Sequence, residues 1–402
     1  MERLLPSRTT LSGPVSAVWL LGLTQIAGYG TLYYSFPILA GSMAAEFGWA
    51  TSSVFGLFSL SLLFGGLIAP WTGRLMDRLG AVRMMVWGSG LSAAALLWLA
   101  LAPASLFLPG LILLEMTSGL ALYDAAFATL AQRTGGQARN RIAQMTLIAG
   151  FASSLAWPFT SFLHDWLGWR DVLICFALLN LGFCLPVHWL LWKLPPQAEA
   201  GDVPAAEVIH PQAPAHLRAR LLLLTAMGFA LSGFVVAGVL ILMVPLLKAM
   251  GMGAAAVGIA ALFGPSQVLS RFAHMGIGKR MSPLAAAILS SALMAGACLV
   301  LMAAGAGWAS AVLFAVLFGL GSGINSIVRG TVPLVLFGSS TYGSVLGQMA
   351  FARLMLNAAA PFAFAWLLEH AGPATALGVM AVIGALAIAA FAETARHITA
   401  AR

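Results

Sequence analysis

Five ionisable residues lie inside long apolar stretches of the sequence, where a charge needs a specific reason. If these stretches cross a bilayer, each charge near the centre costs at least about 2.5–3.5 kcal/mol, so such residues are usually paired or functional. Two of them are acids that can carry a proton, and three are guanidinium groups suited to bidentate recognition of a carboxylate. They are Glu115, Asp124, Arg271, Arg329 and Arg353.

The two acids share one apolar run. Glu115 and Asp124 are nine residues apart, so a continuous helix that turns about 100° per residue would point them to opposite faces. We therefore expect at most one of them to face a central cavity directly. Either acid is a candidate for proton coupling. Alternatively, Asp124 forms a structural ion pair with Arg133 or Arg141.

The arginines divide into two groups by position. Arg271 and Arg353 are predicted to bind an anionic substrate, and Gln267 and Asn357 each lie one helical turn from one of them. An alternative for Arg271 is that its side chain extends to lipid headgroups, and an alternative for Arg353 is an interdomain contact. Arg329 is predicted to join the two halves of the protein structurally.

A polar stripe also follows the first apolar run. Gln25, Tyr29 and Tyr33 are spaced by four residues and therefore share one face of a helix. They are candidate substrate ligands, with packing as the alternative.

The composition requires a membrane protein. Hydrophobic residues make up 61% of the 402 positions, charged residues make up 8%, and the mean hydropathy is +0.95. A soluble domain carries about 25% charged residues. Twelve apolar runs long enough to cross a bilayer are separated by charges or by Gly and Pro. The sequence thus predicts an all-α membrane protein with twelve transmembrane helices.

The twelve runs form two sets of six. A polar stretch rich in Pro and Ala divides the chain into residues 1–194, a linker 195–218 and residues 219–402. Dipeptides recur between the halves at offsets near 200 residues, such as Leu23-Thr24 with Leu224-Thr225. Two pseudo-symmetric six-helix halves are typical of transporters built from parallel repeats.

The basic residues predict the topology. Placing both termini and the linker in the cytoplasm puts fifteen Lys and Arg residues inside and only Arg170 and Lys248 outside. The net charge of +8 therefore reports membrane orientation, not nucleic-acid binding. Short loops suit a bacterial inner membrane. We expect the protein to be a monomer and to bind no cofactor and no metal ion.

The loop after the second run contains Gly73, Asp77, Arg78, Gly80 and Arg83. Its Gly-x-x-x-Asp-Arg-x-Gly spacing resembles the signature loop of the major facilitator superfamily. The resemblance implies that this loop gates the cytoplasmic side of a central cavity. Asp77 can pair with an arginine or cap a helix in the opposite half. The alternative is a basic loop that only sets topology.

A narrower resemblance comes from Phe47-Gly48-Trp49 and from the stretch Gly65–Arg83. Both are similar to the monocarboxylate and oxalate–formate branch of the superfamily. That branch implies an Asp and an Arg spaced by four residues in the eighth helix, where this chain has Gln267 and Arg271. The lysine that the branch carries in its first helix is absent.

These patterns favour a secondary transporter that couples a small organic anion to a proton. The main alternative is a proton-coupled efflux antiporter for drugs or other small toxic compounds, which would depend on Glu115 and Asp124. A polytopic membrane enzyme or receptor is a weaker alternative, because the loops are short and carry no catalytic motif.

Overall fold

The computed structural model describes residues 14–195, 212–276, 281–305 and 307–400. The described residues form helices and no strands. Nine helical stretches among them are long and apolar enough to cross a membrane, and one of these, residues 104–166, joins two spans. Two further spans, residues 14–47 and 255–276, consist of shorter helices. The twelve predicted membrane helices are therefore all present.

The first half contains ten helical segments that make six spans. The segments are α1 (Pro14–Tyr29), α2 (Phe36–Phe47), α3 (Thr51–Leu79), α4 (Ala81–Leu101), α5 (Ala104–Ser118), α6 (Tyr123–Thr134), α7 (Ala138–Ala149), α8 (Ala152–Trp166), α9 (Trp169–Leu179) and α10 (Leu185–Lys193).

The second half contains seven segments that make the other six spans. These are α11 (Arg218–Ala249), α12 (Ala255–Ala261), α13 (Phe263–Gly276), α14 (Pro283–Ala304), α15 (Trp308–Phe337), α16 (Tyr342–His370) and α17 (Gly372–Ala400). The linker predicted at 195–218 falls mostly on residues 196–211, which lie outside the described residues, so its bounds stay a prediction.

Two spans of the first half contain a π-helical turn before a proline. Gly30–Tyr34 precedes Pro37 at the start of α2, and Asn180–Cys184 precedes Pro186 at the start of α10. Proline lacks the N–H that would continue the helical ladder, and the wider turn accommodates it. The Asn180 amide donates to the Thr31 hydroxyl at 2.9 Å, which links the two π turns.

The fourth span is interrupted in its middle. A turn at residues 119–122 separates α5 from α6. We expected Glu115 and Asp124 to face opposite sides of one continuous helix. Because the helix is broken between them, the angle of about 100° per residue cannot be used to relate the two side chains. Gln25 donates to the carbonyl of Ala121 inside this turn at 2.8 Å and thereby ties the break to α1.

The two ends of the bundle differ in how the halves meet. We call the end that carries Arg74, Arg83, Arg139 and Arg218 the basic face, and the end that carries Glu46 the opposite face. At the basic face one hydrophobic core joins first-half residues to Leu334, Tyr342 and Leu346 of the second half. Towards the opposite face each half has a separate core.

The closure at the basic face depends on small residues in α3 and α16. A Cβ on Gly73 would meet the carbonyl oxygen of Gly343, and a Cβ on Gly347 would meet that of Ala69. Backbones that approach so closely require glycine on both helices. In addition, α7 packs against α13 and α15.

Helix α8 packs mainly against helices of its own half, α1, α2 and α9. Helix α8 has one exposed apolar face, which contains Leu155, Phe159, Phe162 and Trp166 and is continued by Phe151 just before the helix. It has a second exposed face that is more polar, which contains Ser154, Trp157, Ser161 and Asp165. An apolar face suits lipid, and a polar exposed face within a membrane bundle indicates a water-filled cavity. In the described part of the chain the halves therefore meet closely at the basic face, and we infer that a water-filled space lies beside α8 towards the other face.

The Phe47-Gly48-Trp49 loop stabilises the first half at the opposite face. Glu46 accepts hydrogen bonds from Trp169 Nε1 at 2.6 Å and from Arg170 Nε at 2.8 Å. Arg170 also donates to the carbonyls of Ala100 and Ala102. Phe47 and Trp49 themselves pack against Phe107 at 5.3 and 5.9 Å between ring centres, so this loop packs within the first half at the ends of its spans.

Candidate functional site

An ion-pair triad joins the two halves at the centre of the bundle. Asp124, in the first turn of α6, lies 3.3 Å from Arg329 of α15 and 3.3 Å from Arg353 of α16. The three side chains are 17–21% exposed. Asp124 pairs with these two residues instead of Arg133 or Arg141. Arg133 donates to three backbone carbonyls at the end of the sixth span.

The triad has an excess of positive charge and is loosely bonded. One carboxylate faces two guanidinium groups, which leaves one uncompensated positive charge. Charge-assisted N–H···O bonds are usually about 2.7–2.9 Å long, so both 3.3 Å contacts are longer than optimal. A small cavity beside the triad is lined by Phe229, Leu346, Met349 and Ala350 together with the triad itself. The triad is therefore bordered by an apolar cavity and keeps part of its own surface exposed.

Aromatic rings hold Arg329 in place. Its guanidinium carbon lies 5.4 Å from the ring centre of Tyr123 and 5.9 Å from that of Phe127. The two rings are themselves stacked at 5.2 Å, and Tyr29 lies 4.6 Å from Tyr123. These contacts are cation–π interactions, which are strengthened by burial. Arg329 thus has the joining role between the halves that the sequence predicted for it.

Arg271 has no ionic partner among the described residues. Its side chain is only 4% exposed, and its Nε donates to the Ser326 hydroxyl at 3.1 Å. Its Nη1 is buried with no hydrogen-bond partner. A Cβ on Gly150 would overlap this nitrogen, so the missing side chain leaves room for it. A buried guanidinium with a free donor is costly unless a ligand satisfies it.

The residues one turn from the arginines have different contacts. Gln267 donates to the Ser322 hydroxyl at 2.8 Å and so joins α13 to α15. The Oδ1 of Asn357 is buried with no partner. A Cβ on Gly233 of α11 would lie 2.7 Å from that oxygen, which shows how close α11 and α16 are. Of the two, Asn357 keeps an acceptor free for a ligand or a water.

Glu115 is buried, with 9% of its surface exposed, and its Oε1 has no hydrogen-bond partner. Its main-chain and Cβ atoms pack against Gly65 of α3. It forms no ion pair with any described residue. Glu115 is therefore a second buried acid near the centre, separate from the triad.

Four of the five tyrosines form one cluster. Tyr29, Tyr33 and Tyr34 lie within 6.5 Å of one another by ring centroids, and Tyr29 contacts Tyr123. Tyr34 also meets Trp157 of α8 edge to face at 6.0 Å. The sequence indicated Tyr29 and Tyr33 through their spacing, but Trp157 and Tyr123 come from other spans. Gln25, by contrast, is fully buried and positions the turn in the fourth span.

The gating loop contacts the second half directly. Asp77 accepts from the backbone N–H groups of Gly343 and Ser344 at 2.8 and 2.7 Å, and it also accepts from the Ser344 hydroxyl. These groups form the N-terminus of α16, where a negative charge is favourable. Gly80 has a φ of 89° and ends α3.

The basic residues of this loop lie at the surface. Arg78 is exposed. Arg83 lies against the rings of Trp87 and Trp192 at 5.6 and 5.8 Å. Among the described residues, no group of three His, Cys, Asp or Glu side chains is arranged to hold a metal ion.

Comparison with known proteins defines the class. The model of the Major Facilitator Superfamily matches residues 18–361, so the chain belongs to this superfamily and is a membrane transporter, not an enzyme. No curated protein sequence matches it.

Several solved structures have the same fold at low sequence identity. The human organic anion transporter MFSD10 (TETRAN) is 17% identical with a TM-score of 0.71, over 94% of this chain and 98% of that one. The superfamily transporter FucP in its outward conformation is 14% identical with a TM-score of 0.73, over 95% and 99%. The proton:xylose symporter XylE is 14% identical with a TM-score of 0.70, over 94% and 95%. These identities establish the fold, and the monocarboxylate or oxalate–formate branch stays a prediction.

Proposed function

We propose that this protein is a secondary active transporter that moves a small organic anion together with a proton by alternating access. The basic face is the cytoplasmic face of an inner membrane, because lysines and arginines are retained there. On this assignment the structure is open to the outside and closed to the cytoplasm. A monomer is sufficient, since the central site is formed by the two halves of one chain.

The observation that carries the anion assignment is the state of Arg271. Its guanidinium is 4% exposed, has no ionic partner and keeps one nitrogen without a hydrogen bond. A carboxylate would supply both the charge and the acceptor that this group lacks. Arg353 adds a second guanidinium that is held by long contacts, and Asn357 adds a free polar atom.

Asp124 is the proposed link between substrate and proton. Its carboxylate occupies Arg353, which an anionic substrate would also use, so the two anions compete for this guanidinium. Protonation of Asp124 removes its charge and releases Arg353, which favours binding of the substrate. A proton and a monovalent anion then bind together, and their transport is electroneutral. Glu115, a buried acid without an ionic partner, is the second candidate carrier of the proton.

Glu115 also supports the alternative of an efflux antiporter. A buried carboxylate without an ion pair among the described residues suits a cationic substrate, and tyrosines can bind cations through their ring faces. The three arginines at the centre oppose this reading, because they repel a cation. The anion hypothesis is therefore preferred.

The test is counterflow in proteoliposomes with a panel of carboxylates and organic cations. Arg271→Lys is compared with Arg220→Lys, whose side chain is 60% exposed at the protein surface. Lysine cannot reproduce the planar fork of arginine. We expect carboxylate counterflow that Arg271→Lys lowers at least tenfold and Arg220→Lys leaves unchanged. If organic cations show counterflow and carboxylates do not, the anion proposal is wrong and the efflux antiporter is preferred.

A further inference from the structure

A second cavity lies between the two halves at the basic face. Its volume is about 100 Å³, whereas a single water needs about 10–15 Å³ on the same measure, so an ion of several heavy atoms has room there. Its walls come from α7 of the first half and from α13 and α15 of the second. The polar side chains that line it are Arg139, Asn140, Gln144, His274 and Thr331.

This lining contains donors that have no partner in the described part of the chain. Arg139 forms one hydrogen bond there, from Nη2 to the carbonyl of Met281 at 2.7 Å, which leaves its Nε and Nη1 donors. Gln144 accepts from Arg141 through Oε1 at 3.1 Å, which leaves its amide N–H groups. Thr331 is only 2% exposed, and its hydroxyl bonds to no other described residue. A buried hydroxyl of this kind is costly unless a ligand or a water satisfies it.

We infer that this cavity binds a phosphate group, supplied either by inorganic phosphate or by a lipid headgroup. Arg139 carries a permanent positive charge, and no Asp or Glu is among the described residues of the lining. His274 adds a ring N–H donor in either protonation state, and Thr331 adds a hydroxyl. Because these donors come from three different helices, they suit a tetrahedral anion with several acceptor oxygens better than a planar carboxylate.

A phosphate group in this cavity would hold the two halves together. Arg139 belongs to the first half, and His274 and Thr331 belong to the second. Beside the cavity the halves are in close contact, since a Cβ on Gly330 of α15 would lie 2.9 Å from Ile142 of α7. A ligand that binds only the closed arrangement stabilises it. Phosphate at the basic face therefore slows transport, whatever the transported substrate is.

Calorimetric titration of the purified full-length protein with inorganic phosphate tests this site. Arg139→Gln and Thr331→Val should each lower the affinity at least about tenfold, because each removes a donor to a charged ligand. Valine has nearly the shape of threonine, so Thr331→Val keeps the test valid if Arg139→Gln does not fold. Arg220→Gln is the control, since that side chain is 60% exposed on the same face. Unchanged affinity in Thr331→Val would overturn the assignment.

Further arms separate this site from the central one and identify the source of the phosphate. Arg271→Lys should bind phosphate normally; loss of binding in this variant would place the anion at the centre and overturn the inference. Acetate that binds as tightly as phosphate would also overturn it. If inorganic phosphate does not bind, native mass spectrometry with phosphatidate tests the headgroup, whose retention should depend on Thr331. If neither binds, the inference is wrong.

The link to closure has its own test. A Cβ on Gly73 would meet the carbonyl oxygen of Gly343 and keep the halves apart at the basic face. Gly73→Ala should therefore lower the phosphate affinity about tenfold, because the apparent affinity falls with the fraction of closed protein. Gly56→Ala, where nothing lies within 4 Å of the new Cβ, should bind normally. Equal phosphate affinities in the two variants would show that the site does not bridge the halves.

Discussion

Asp77 of the first half binds the N-terminus of α16 in the second half through the backbone N–H of Gly343, at 2.8 Å. The sequence analysis allowed either an arginine partner or a helix cap for this residue, and the structure shows the cap. Because the contact joins the two halves, we expect it to be lost when they separate at the basic face. It therefore contributes to the stability of the closed conformation relative to the conformation that opens at this face.

Asp77→Asn should destabilise closure of the basic face. The amide has one acceptor oxygen and no charge, so it cannot replace the three hydrogen bonds that Asp77 accepts. A hydrogen bond to a charged group contributes about 1.5–3 kcal/mol, which corresponds to a shift of at least about tenfold between conformations. Spin labels at residues 74 and 340 would report a longer distance. If the distance between the two spin labels and the transport rate are both unchanged, the loop has a role in topology only. Asp165→Asn, at the opposite end of the bundle, is the control.

Gly73→Ala should prevent the same closure for a steric reason. The new Cβ would meet the carbonyl oxygen of Gly343, which is backbone and cannot rotate away. Overpacking of this kind typically costs about 1–3 kcal/mol. We expect transport to fall at least tenfold with normal membrane insertion. Gly56→Ala in the same helix α3 is the matched control, because nothing lies within 4 Å of its Cβ. Equal activities of the two variants would contradict the assigned packing.

Gly150→Ala should weaken anion binding without any change in the charge of the protein. A Cβ at this position would overlap the Arg271 guanidinium and force it to move. If Arg271 binds the carboxylate, the affinity for carboxylates should fall about tenfold, which is about 1.4 kcal/mol. Calorimetric titration measures this change. Gly182→Ala, which meets nothing within 4 Å, should bind as the unmodified protein does. Unchanged affinity in Gly150→Ala would argue against Arg271 as a ligand.

Asp124→Asn should uncouple transport from the pH gradient. The variant mimics the protonated acid at every pH, so Arg353 stays available to the anion and exchange persists. Uptake driven by an acidic exterior should fall at least tenfold, while counterflow stays within about twofold of the normal rate. Glu115→Gln tests the second candidate in the same way, and Asp171→Asn on an exposed site is the control. Intact pH dependence in both Asp124→Asn and Glu115→Gln would remove these acids from proton coupling.

The basic face should lie in the cytoplasm. Fifteen lysines and arginines are placed there by the predicted topology, and the positive-inside rule makes the opposite orientation unfavourable. A reporter fused after Arg218 should therefore read as cytoplasmic, and one inserted next to Lys248 should read as periplasmic. If the reporter after Arg218 reads as periplasmic and the one next to Lys248 as cytoplasmic, the basic face is on the outside and the proposed orientation is wrong.

The sequence alone determined the class of the protein and the arrangement of its spans. Hydropathy and charge are local properties, and each apolar run must be helical in a bilayer whatever its neighbours are. The loop from Gly73 to Arg83 was recognisable because its spacing is local too. The same patterns identified the five ionisable residues in the spans, since any charge in an apolar run is conspicuous.

Only the tertiary structure decided how these residues are partnered. Asp124 meets Arg329 and Arg353 across more than 200 residues of sequence, and no local pattern encodes such a contact. The turn at residues 119–122 interrupts the helix between Glu115 and Asp124, so helical spacing does not give the relative directions of their side chains. The sequence did not reveal this break, because glycine is common in continuous membrane helices. Likewise, the free nitrogen of Arg271 and the exposed ring of Trp157 follow from the packing of α7, α8 and α13, and the composition of those helices does not reveal them.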